Sequence, residues 1–524
     1  MKTIPHFTLK QLIVTFLSLP IYLLKPKRHP SRPTFLIQLL LNFIVATSII
    51  VALPQINEIV FFKELRDRVI DSIMYWQSDF EPTTSTGHNL QRMALFEIDN
   101  KTYREWGSPV ITPRDKLKNL IERAKTGGAN VIAIDINLTW LSDGCFHEPD
   151  RTPVCSPSSL NSDVALGLYL QKLNEEFHDP DNYDTPIILL KRTYRQPLDE
   201  NGLVKTDSFL EQPYSFLQAY LKAEKNVFWT SSFFPADDDS VRRRWQLAAL
   251  VCEDNHLTVV PSMPLLAAMA QLHSCEDSTR KAAYMIRDFK RRLNDWAQKR
   301  PCDPSLGTTI PQICQNSTCP DLTVMVPNKI GVCDEVHTID LAGGGETERV
   351  IYRFAPADNP LAHQSNLIDE YSALKVLDEE INVDKKIVFI GVTHEDYSNH
   401  HPIPIRHQEV SSAYLVANAT DTLLRFGQFQ PQPLVYKIGI SIILVIILTL
   451  IFTHYKLITA FLFSSLFIGS VLLILGGSTL HHGLWIDMTL PMLTIQIVQV
   501  ILSFFETFWQ VKSDIDADQA TIEK

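Results

Sequence analysis

The chain has 524 residues, of which 48 are basic and 59 acidic, giving a formal net charge of -11 at pH 7. Between residues 54 and 433 the imbalance is larger, with 38 basic against 53 acidic residues. This charge argues against a nucleic-acid partner and against a domain that lies flat on an anionic membrane. Proteins or small molecules are the partners that remain.

An uncharged apolar segment covers residues 34–53. As a helix it would span a hydrocarbon core of roughly 30 Å, so we predict a transmembrane helix there. Four basic residues between positions 25 and 32 predict that residues 1–33 are cytoplasmic. Within them, residues 11–24 are too short for a span and contain Pro20, which indicates an interfacial segment.

Three further apolar segments, at residues 434–453, 457–475 and 489–509, also predict transmembrane helices. The bias of basic residues then places residues 54–433 outside the cytoplasm and the tail, residues 510–524, inside. Because this tail is too short to bury a core, we expect no fused output domain. A signal would have to leave through another protein.

All eight cysteines lie in the region predicted to be outside: Cys145, Cys155, Cys252, Cys275, Cys302, Cys314, Cys319 and Cys333. An even number in an oxidising compartment predicts disulfides. A zinc site is disfavoured because no Cys-x-x-Cys pair occurs. Several connectivities are open, and the local links we expect are Cys145 with Cys155 and pairs within residues 302–333.

A strand, a helix and a strand follow one another in residues 93–137. Residues 93–99 and 131–137 have the apolar pattern of strands, and residues 114–126 have the apolar spacing of a helix that Gly127 ends. Strands this apolar predict a parallel sheet that is covered on both faces. The expected fold class is therefore α/β, with a mostly parallel sheet flanked by helices.

The same patterns continue along the chain. Further strands are predicted at residues 186–191, 245–252, 349–354 and 386–392, and further helices at residues 262–273, 279–299, 370–380 and 411–425. Residues 276–321 combine basic residues, prolines and three cysteines, which indicates an insertion tied by disulfides.

Two acidic residues end the first pair of strands. Asp99 and Asp135 lie where ligands usually bind in open parallel sheets, outside the carboxyl ends of the strands. Together with Arg114, in the first turn of the intervening helix, they form a candidate binding site for a small ligand. The alternative, which we favour, is structural: Asp99 caps a loop and Arg114 neutralises the strand-end carboxylates.

The loop after the strand at residues 386–392 is rich in metal-ligand types: His394, Glu395, Asp396, His400, His401 and His407. The segment lacks the HExxH spacing, so we expect a solvated loop whose histidines titrate near neutral pH. The acidic and basic run at residues 237–244 predicts a charged turn. With no nucleophile and base pattern and no cofactor motif visible, we expect neither enzyme activity nor a metal or cofactor.

Six segments, taken in order, resemble the type-two CHASE domain. They are ALFEIDN (94–100), SPVITPRDKLKNLIERAKTGGANVIAIDI (108–136), FFPADDDSVRRRW (233–245), VPSMPLLAAMA (260–270), KKIVFIGVTHEDYSNHHPIPI (385–405) and VANATDTLL (416–424). The resemblance implies a sensor module of bacterial cyclases and histidine kinases, with one transmembrane helix before it and three after it. It also implies location in the bacterial inner membrane, a periplasmic domain and a homodimer.

The chain departs from the family pattern at two places. Ser240 stands where the family often has glycine in an Asp-x-Asp-Gly-x-x-Arg turn, and Ile-Pro-Ile at residues 403–405 replaces a Thr-Pro segment. The expected function is a sensor of an unknown small-molecule or physical stimulus that acts through a separate membrane or signalling protein. The alternatives are a membrane scaffold and, with least support, an extracytoplasmic hydrolase.

Overall fold

The computed structural model describes residues 39–40, 43–44, 48, 60–80, 93–139, 141, 157–175, 185–191, 215–253, 256–271, 282–300, 302–303, 310–316, 323–329, 332–342, 348–353, 368–396, 400–405, 408–431, 434–455, 457–481, 484–485, 496–498, 500–501 and 504. The chain forms two compact units. The terminal unit consists of Met1–Ile73 and Pro431–Lys524, and the central unit is Met74–Gln430.

The described helices are α1 (Val60–Phe80), α2 (Asn100–Glu105), α3 (Arg114–Thr126), α4 (Pro157–Glu175), α5 (Met263–Ala270), α6 (Ala282–Ala297), α7 (Ile310–Asn316), α8 (Ala373–Asp378), α9 (Ser412–Phe426), α10 (Leu434–His454) and α11 (Leu457–His481). A short 3-10 helix covers Phe216–Ala219.

The described strands are β1 (Met93–Ile98), β2 (Val131–Asp135), β3 (Ile187–Leu190), β4 (Val227–Thr230), β5 (Ala248–Glu253), β6 (His256–Pro261), β7 (Thr323–Lys329), β8 (Val332–Asp340), β9 (Ile368–Ser372), β10 (Ile387–Val392), β11 (His400–Pro402), β12 (Glu409–Ser411), β13 (Gln430–Pro431) and β14 (Leu484–Trp485).

A six-stranded parallel sheet forms the centre of the central unit, in the order β4-β3-β2-β10-β1-β9. Strand β10, which is remote in sequence, lies between β1 and β2. The register pairs Glu97 of β1 with Gly391 of β10, and Gly391 in turn with Asp135 of β2. Three strand ends therefore lie side by side at one edge of the sheet.

Both faces of this sheet are covered, as the apolar strands predict. On one face, α3, α4 and α8 pack through residues such as Leu120 and Leu170. On the other face, α5, α6 and α9 pack through residues such as Leu266, Phe289 and Leu415. The prediction of an α/β fold with a mostly parallel sheet between helices is confirmed.

The longest periodic segments were the most accurately predicted. Helix α3 has the predicted limits, Arg114–Thr126, because its apolar residues recur on one face and Gly127 follows it. Strands β1, β2, β3 and β10 lie within the predicted ranges. The predicted helix at residues 279–299 contains α6, whose buried residues belong to the main core.

Two predictions of secondary structure were wrong. Residues 349–353 form no strand and only a single bridge from Arg349 to Arg244. The predicted helix at residues 370–380 begins as strand β9, and only Ala373–Asp378 is helical. In both cases contacts with remote segments decide the backbone, overriding local propensity.

One described disulfide joins Cys252 to Cys302, with Cα atoms 5.8 Å apart. This corrects the expectation that Cys302 pairs within residues 302–333: its partner is the penultimate residue of strand β5, which packs against the same core. Cys314 is also disulfide-bonded. The cysteines at positions 145, 155, 275 and 319 lie outside the described residues.

Helices α10 and α11 of the terminal unit cover two of the four predicted membrane spans. Within the ranges given above, no helix meets the length and hydropathy expected of a membrane span. Most of residues 34–53 and 489–509 lie outside those ranges. The membrane assignment therefore stays a prediction from the sequence.

We predict that Gly391→Ala destabilises the central unit. A Cβ atom at position 391 would lie 2.5 Å from the Cβ atom of Ala413 in α9, so the helix or the strand would have to shift. Such overpacking costs about 1–3 kcal/mol, measurable by urea unfolding. The double variant Gly391→Ala with Ala413→Gly should recover part of this loss, and unchanged stability of the single variant would contradict the close approach.

Removing the Cys252–Cys302 disulfide should also lower stability. The crosslink joins residues 50 positions apart, and closing a loop of that length stabilises a fold by about 4 kcal/mol in the chain-entropy account. The measurement is the unfolding free energy of Cys252→Ala with Cys302→Ala against the wild type. After full reduction the two proteins should unfold with the same free energy; a difference that persists would assign the loss to packing instead.

Candidate functional site

A polar cleft of about 260 Å³ opens at the carboxyl ends of β1 and β10. This is the edge at which ligands bind in open parallel sheets. Its lining residues are all polar: Glu97, Asp99, Asn100, Lys101, Thr393, His400, Glu409, Ser411 and Tyr414. The short antiparallel pair β11–β12 contributes His400, Glu409 and Ser411, and helix α9 contributes Tyr414.

Two carboxylates meet the same phenol at the inner end of the cleft. The hydroxyl of Tyr414 lies 3.1 Å from Glu97 Oε1 and 2.9 Å from Glu370 Oε1. The second oxygen of Glu97 accepts a hydrogen bond from Thr393 Oγ1 at 3.0 Å. We call Glu97, Tyr414 and Glu370 the carboxylate–tyrosine chain.

A phenol has one proton and can donate it to only one of these two carboxylates at a time. The second short contact is a hydrogen bond only when one carboxyl group is protonated and donates to the phenol oxygen. Burial, and next the neighbouring charge of Glu370, raise the pKa of Glu97 to about 7, against the lowering effect of hydrogen bonds from Thr393 and Tyr414. The site thus gains or loses a proton near neutral pH.

The Tyr414 phenol itself stays protonated. Its burial, and next the charges of Glu97 and Glu370, raise its pKa well above the ordinary value, because a phenolate would be desolvated beside two acidic groups. The side chain is 1% exposed. Tyr414 therefore acts as a fixed donor, and the titrating group of the chain is the carboxyl pair.

Asp99, the first of the predicted ligand-binding residues, lines the cleft and also caps α2. Its carboxylate accepts a hydrogen bond from the backbone N–H of Thr102 at 2.7 Å. Asn100 follows it and accepts a bond from the N–H of Glu395 at 3.0 Å. Asp99 therefore has a capping role, although it caps a helix and not the expected loop, and this role leaves the residue at the wall of the cleft.

Asp135 lies on the same face of the sheet as Glu97, two strands away across Gly391. It is 2% exposed, and its Oδ2 accepts a hydrogen bond from Ser412 Oγ at the start of α9. A carboxylate at this position is favoured by the positive end of the helix dipole. Asp135 therefore holds the helix that carries Tyr414, and it is not among the cleft-lining residues.

Arg114 belongs to the opposite face of the sheet. It is fully buried, with Nε 3.6 Å from Asp163 Oδ1 of α4 and an NH group donating to the carbonyl of Asn137. Its guanidinium carbon lies 5.6 Å from the centre of the Phe216 ring. Thus, of the three predicted residues, Asp99 lines the cleft and Asp135 holds the start of α9 beside it. Arg114 stabilises the layer of helices on the opposite face of the sheet.

The loop after β10 is only partly solvated: Glu395 and Asp396 are exposed, as expected, but His394 is buried. Its ring stacks on Tyr103 with centroids 3.8 Å apart, and the residue is 7% exposed. Burial, more than the nearby His400, lowers the pKa of His394, so the ring is neutral at neutral pH. Among the described residues, no group of three or more His, Cys, Asp or Glu side chains is placed to hold a metal ion.

The charged run at residues 237–244 does form a turn. Ser240 has φ +66°, which explains why the family often has glycine there. Arg243 binds Asp239 at 2.7 Å, and both Arg243 and Arg244 bind Asp237. These ion pairs join residues within the turn. None of the paired residues lines the cleft.

Glu97, Glu370 and Tyr414 were missed by the sequence reasoning. One signal was present: Glu97 is the only charged residue in the otherwise apolar strand MALFEI. A lone carboxylate in a strand that is covered on both faces requires a buried partner. Tyr414, however, lies 317 residues from Glu97 and 44 residues from Glu370 in the chain, so no local pattern identifies the partners.

The raised pKa of Glu97 predicts a pH-dependent stability. The folded state binds a proton more tightly than the unfolded chain, so the unfolding free energy should fall as pH rises from about 4.5 to about 7 and then level off. Glu97→Gln mimics the protonated acid. It should make the fall in unfolding free energy smaller, by at most about 3 kcal/mol. The measurement is urea unfolding at a series of pH values.

Glu348 is the comparison for this experiment. Burial raises its pKa to about 7 as well, and it accepts a bond from the N–H of Leu247 outside the cleft. Glu348→Gln should remove a second, separate part of the fall. If Glu97→Gln leaves the pH dependence of the wild type intact, the carboxylate–tyrosine chain does not hold the extra proton.

Comparison with known proteins agrees with this architecture. The profile of the CHASE2 domain matches residues 43–453, which is most of the chain. No curated protein and no solved structure matches at a significant level. Since the matched residues include the whole parallel sheet, the cleft and helix α9, this chain belongs to the CHASE2 domain family, a family of sensor domains.

Proposed function

We propose that this protein is a membrane-anchored extracytoplasmic sensor that acts by binding and not by catalysis. The cleft receives the stimulus, and helix α9 carries the response. One observation carries the proposal: Tyr414 of α9 bonds two buried carboxylates of the sheet at the inner end of the cleft. A change of charge in the cleft therefore changes the contacts of this helix directly.

The input is a change in the number of protons on the carboxylate–tyrosine chain. With one carboxyl group protonated, both short contacts of the Tyr414 hydroxyl are hydrogen bonds. With both carboxylates ionised, one contact becomes a repulsion between oxygen lone pairs in a poorly solvated site. The two charge states thus favour different positions of Tyr414, which is the differential interaction that a population shift requires.

Helix α9 is suited to transmit such a shift as a unit. Every residue from Ser412 to Leu424 is buried. Polar side chains along it bond the backbone of a neighbouring segment, with Asn418 accepting from Arg353 N at 2.8 Å and Thr422 accepting from Ile351 N at 3.0 Å. In the sequence, residues 427–433 separate the end of α9 from the start of α10, and this connection is the proposed route of the response.

The membrane location rests on the sequence and on the surfaces of α10 and α11. Large apolar side chains are exposed on both helices, including Val435 at 78%, Ile458 at 63% and Leu466 at 70%. Exposed apolar surface of this extent favours contact with lipid or with another protein. The location we propose is the bacterial inner membrane, with the central unit in the periplasm and a separate signalling or membrane protein as the receiver of the signal.

The function predicts a stimulus-dependent contact with a partner. The full chain is crosslinked in native membranes at about pH 5.5 and about pH 8.5, on either side of the Glu97 pKa of about 7. The yield of a specific crosslinked protein should differ about fivefold or more between the two conditions. Mass spectrometry identifies the protein, and quantitative blotting measures the yield.

Two variants make the result specific. Glu97→Gln should hold the crosslinking yield at its low-pH value. Glu379→Gln is the control, because Glu379 is exposed at the C-terminal end of α8, and this variant should behave as the wild type. A partner captured with the same yield at both pH values would instead support a membrane scaffold. Capture of no specific protein would contradict signalling through a partner.

A further inference from the structure

The cleft has an acidic lining with little positive charge to offset it. Glu97, Asp99 and Glu409 supply three carboxyl groups, whereas Lys101 and His400 are the basic lining residues. Lys101 and Glu409 are both exposed, so water screens both of these charges, whereas Glu97 and Asp99 are partly buried and are screened less. The electrostatic preference of the cleft is therefore for a cation.

Ser411 supplies a second and independent observation. It lines the cleft and is only 2% exposed, yet within the described part of the chain its Oγ atom has no hydrogen-bond partner. It occupies the N-cap position of α9 without capping the helix. A buried hydroxyl without a partner costs about 1–3 kcal/mol, which a ligand that donates a hydrogen bond would recover.

We propose that this cleft binds a small primary ammonium compound, held by its carboxylates and by the Ser411 hydroxyl. This proposal rests on the sensor function above and names the class of its ligand. A primary ammonium group has three N–H donors, so it can bond a hydroxyl oxygen and two carboxylates together. A quaternary ammonium group has the charge but no donor.

The size of the cleft supports an organic ligand over a bare ion. Its volume of about 260 Å³ is many times the roughly 10–15 Å³ of such space that a single water molecule needs. A metal ion is disfavoured, since the described residues provide no group of three or more metal-ligand side chains in suitable positions. An amine of a few carbon atoms would fill the space.

Ammonium binding would be linked to the carboxylate–tyrosine chain. The ionisable groups around Glu97 come from β9, α9, α2 and the β11–β12 pair: Glu370, Tyr414, Asp99, Lys101, His400 and Glu409. Asp135 lies two strands away and is bonded to Ser412. A cation near Glu97 favours its carboxylate form, so the ligand enters as a proton leaves, and binding should tighten as pH rises through neutrality.

The test is isothermal titration of the purified full chain with ethanolamine and with putrescine. At least one should show saturable binding that releases a proton, seen as a heat that depends on the buffer's ionisation enthalpy. Tetramethylammonium and magnesium chloride, at matched ionic strength, should not bind. No saturable binding of either amine, or equal binding of tetramethylammonium, would overturn the proposal.

Three variants connect the binding to the named residues. Glu409→Gln and Ser411→Ala should each weaken the affinity about fivefold or more, and Glu97→Gln should abolish proton release. Ser411→Ala removes a buried hydroxyl that has no described partner, so the variant should unfold at the wild-type temperature or above it, which excludes misfolding as the cause. Glu379→Gln is the matched control and should bind normally; unaltered affinity in both of the first two variants would refute the site.

Failure of the amine-binding test can be distinguished from failure of the crosslinking test of the sensor function. If neither amine binds but the crosslinking yield still depends on pH through Glu97, the ligand class is wrong and the sensor function stands. If an amine binds while the crosslinking yield stays constant, the cleft is an amine site and the sensor function is wrong.

Discussion

Helix α9 lies so close to the parallel sheet that strand β10 must carry a glycine at position 391. Any larger residue would bring a Cβ atom to 2.5 Å from Ala413. This close approach puts the start of α9 directly over the ends of β1, β10 and β2. The bond from Ser412 to Asp135 and the two contacts of Tyr414 both depend on it.

The rotation of α9 about its axis is fixed by polar groups. A helix that is buried on all sides has no polar face to orient it. Here Asn418, Thr422 and Asp421 are each buried and bonded to residues 351–353 or to Arg425. Buried polar groups that are satisfied in only one arrangement specify that arrangement, because any other would leave them without partners. Tyr414 is thereby held between its two carboxylates.

The carboxylate–tyrosine chain is a destabilising element in a well-packed domain. Moving a carboxyl group from water to a buried site disfavours its ionised form, and two such groups around one phenol proton disfavour it further. The surrounding sheet, with apolar clusters on both faces, supplies the stability that tolerates this site. A site kept near its titration point responds to small changes of charge in the adjacent cleft, which is useful for a sensor domain.

The candidate site was only partly predictable. The carboxyl ends of β1 and β2 were identified correctly as the place for polar residues, since strand direction and apolar pattern are local properties. Arg114 was assigned to the same cluster because it begins the helix between those strands, but the helix packs on the opposite face. Crossover geometry, which periodicity does not describe, decides on which side such a residue lies.

By itself the sequence determined the α/β class, the limits of α3, the charged turn at Ser240 and the apolar strands of the central sheet. Each follows from local spacing, from backbone preference or from the need to bury apolar side chains. The tertiary structure alone decided that β10 inserts between β1 and β2, that Cys252 pairs with Cys302 and that Tyr414 meets Glu97 from 317 residues away. These contacts join segments far apart in the chain, and their energy depends on how whole elements pack, which no local pattern contains.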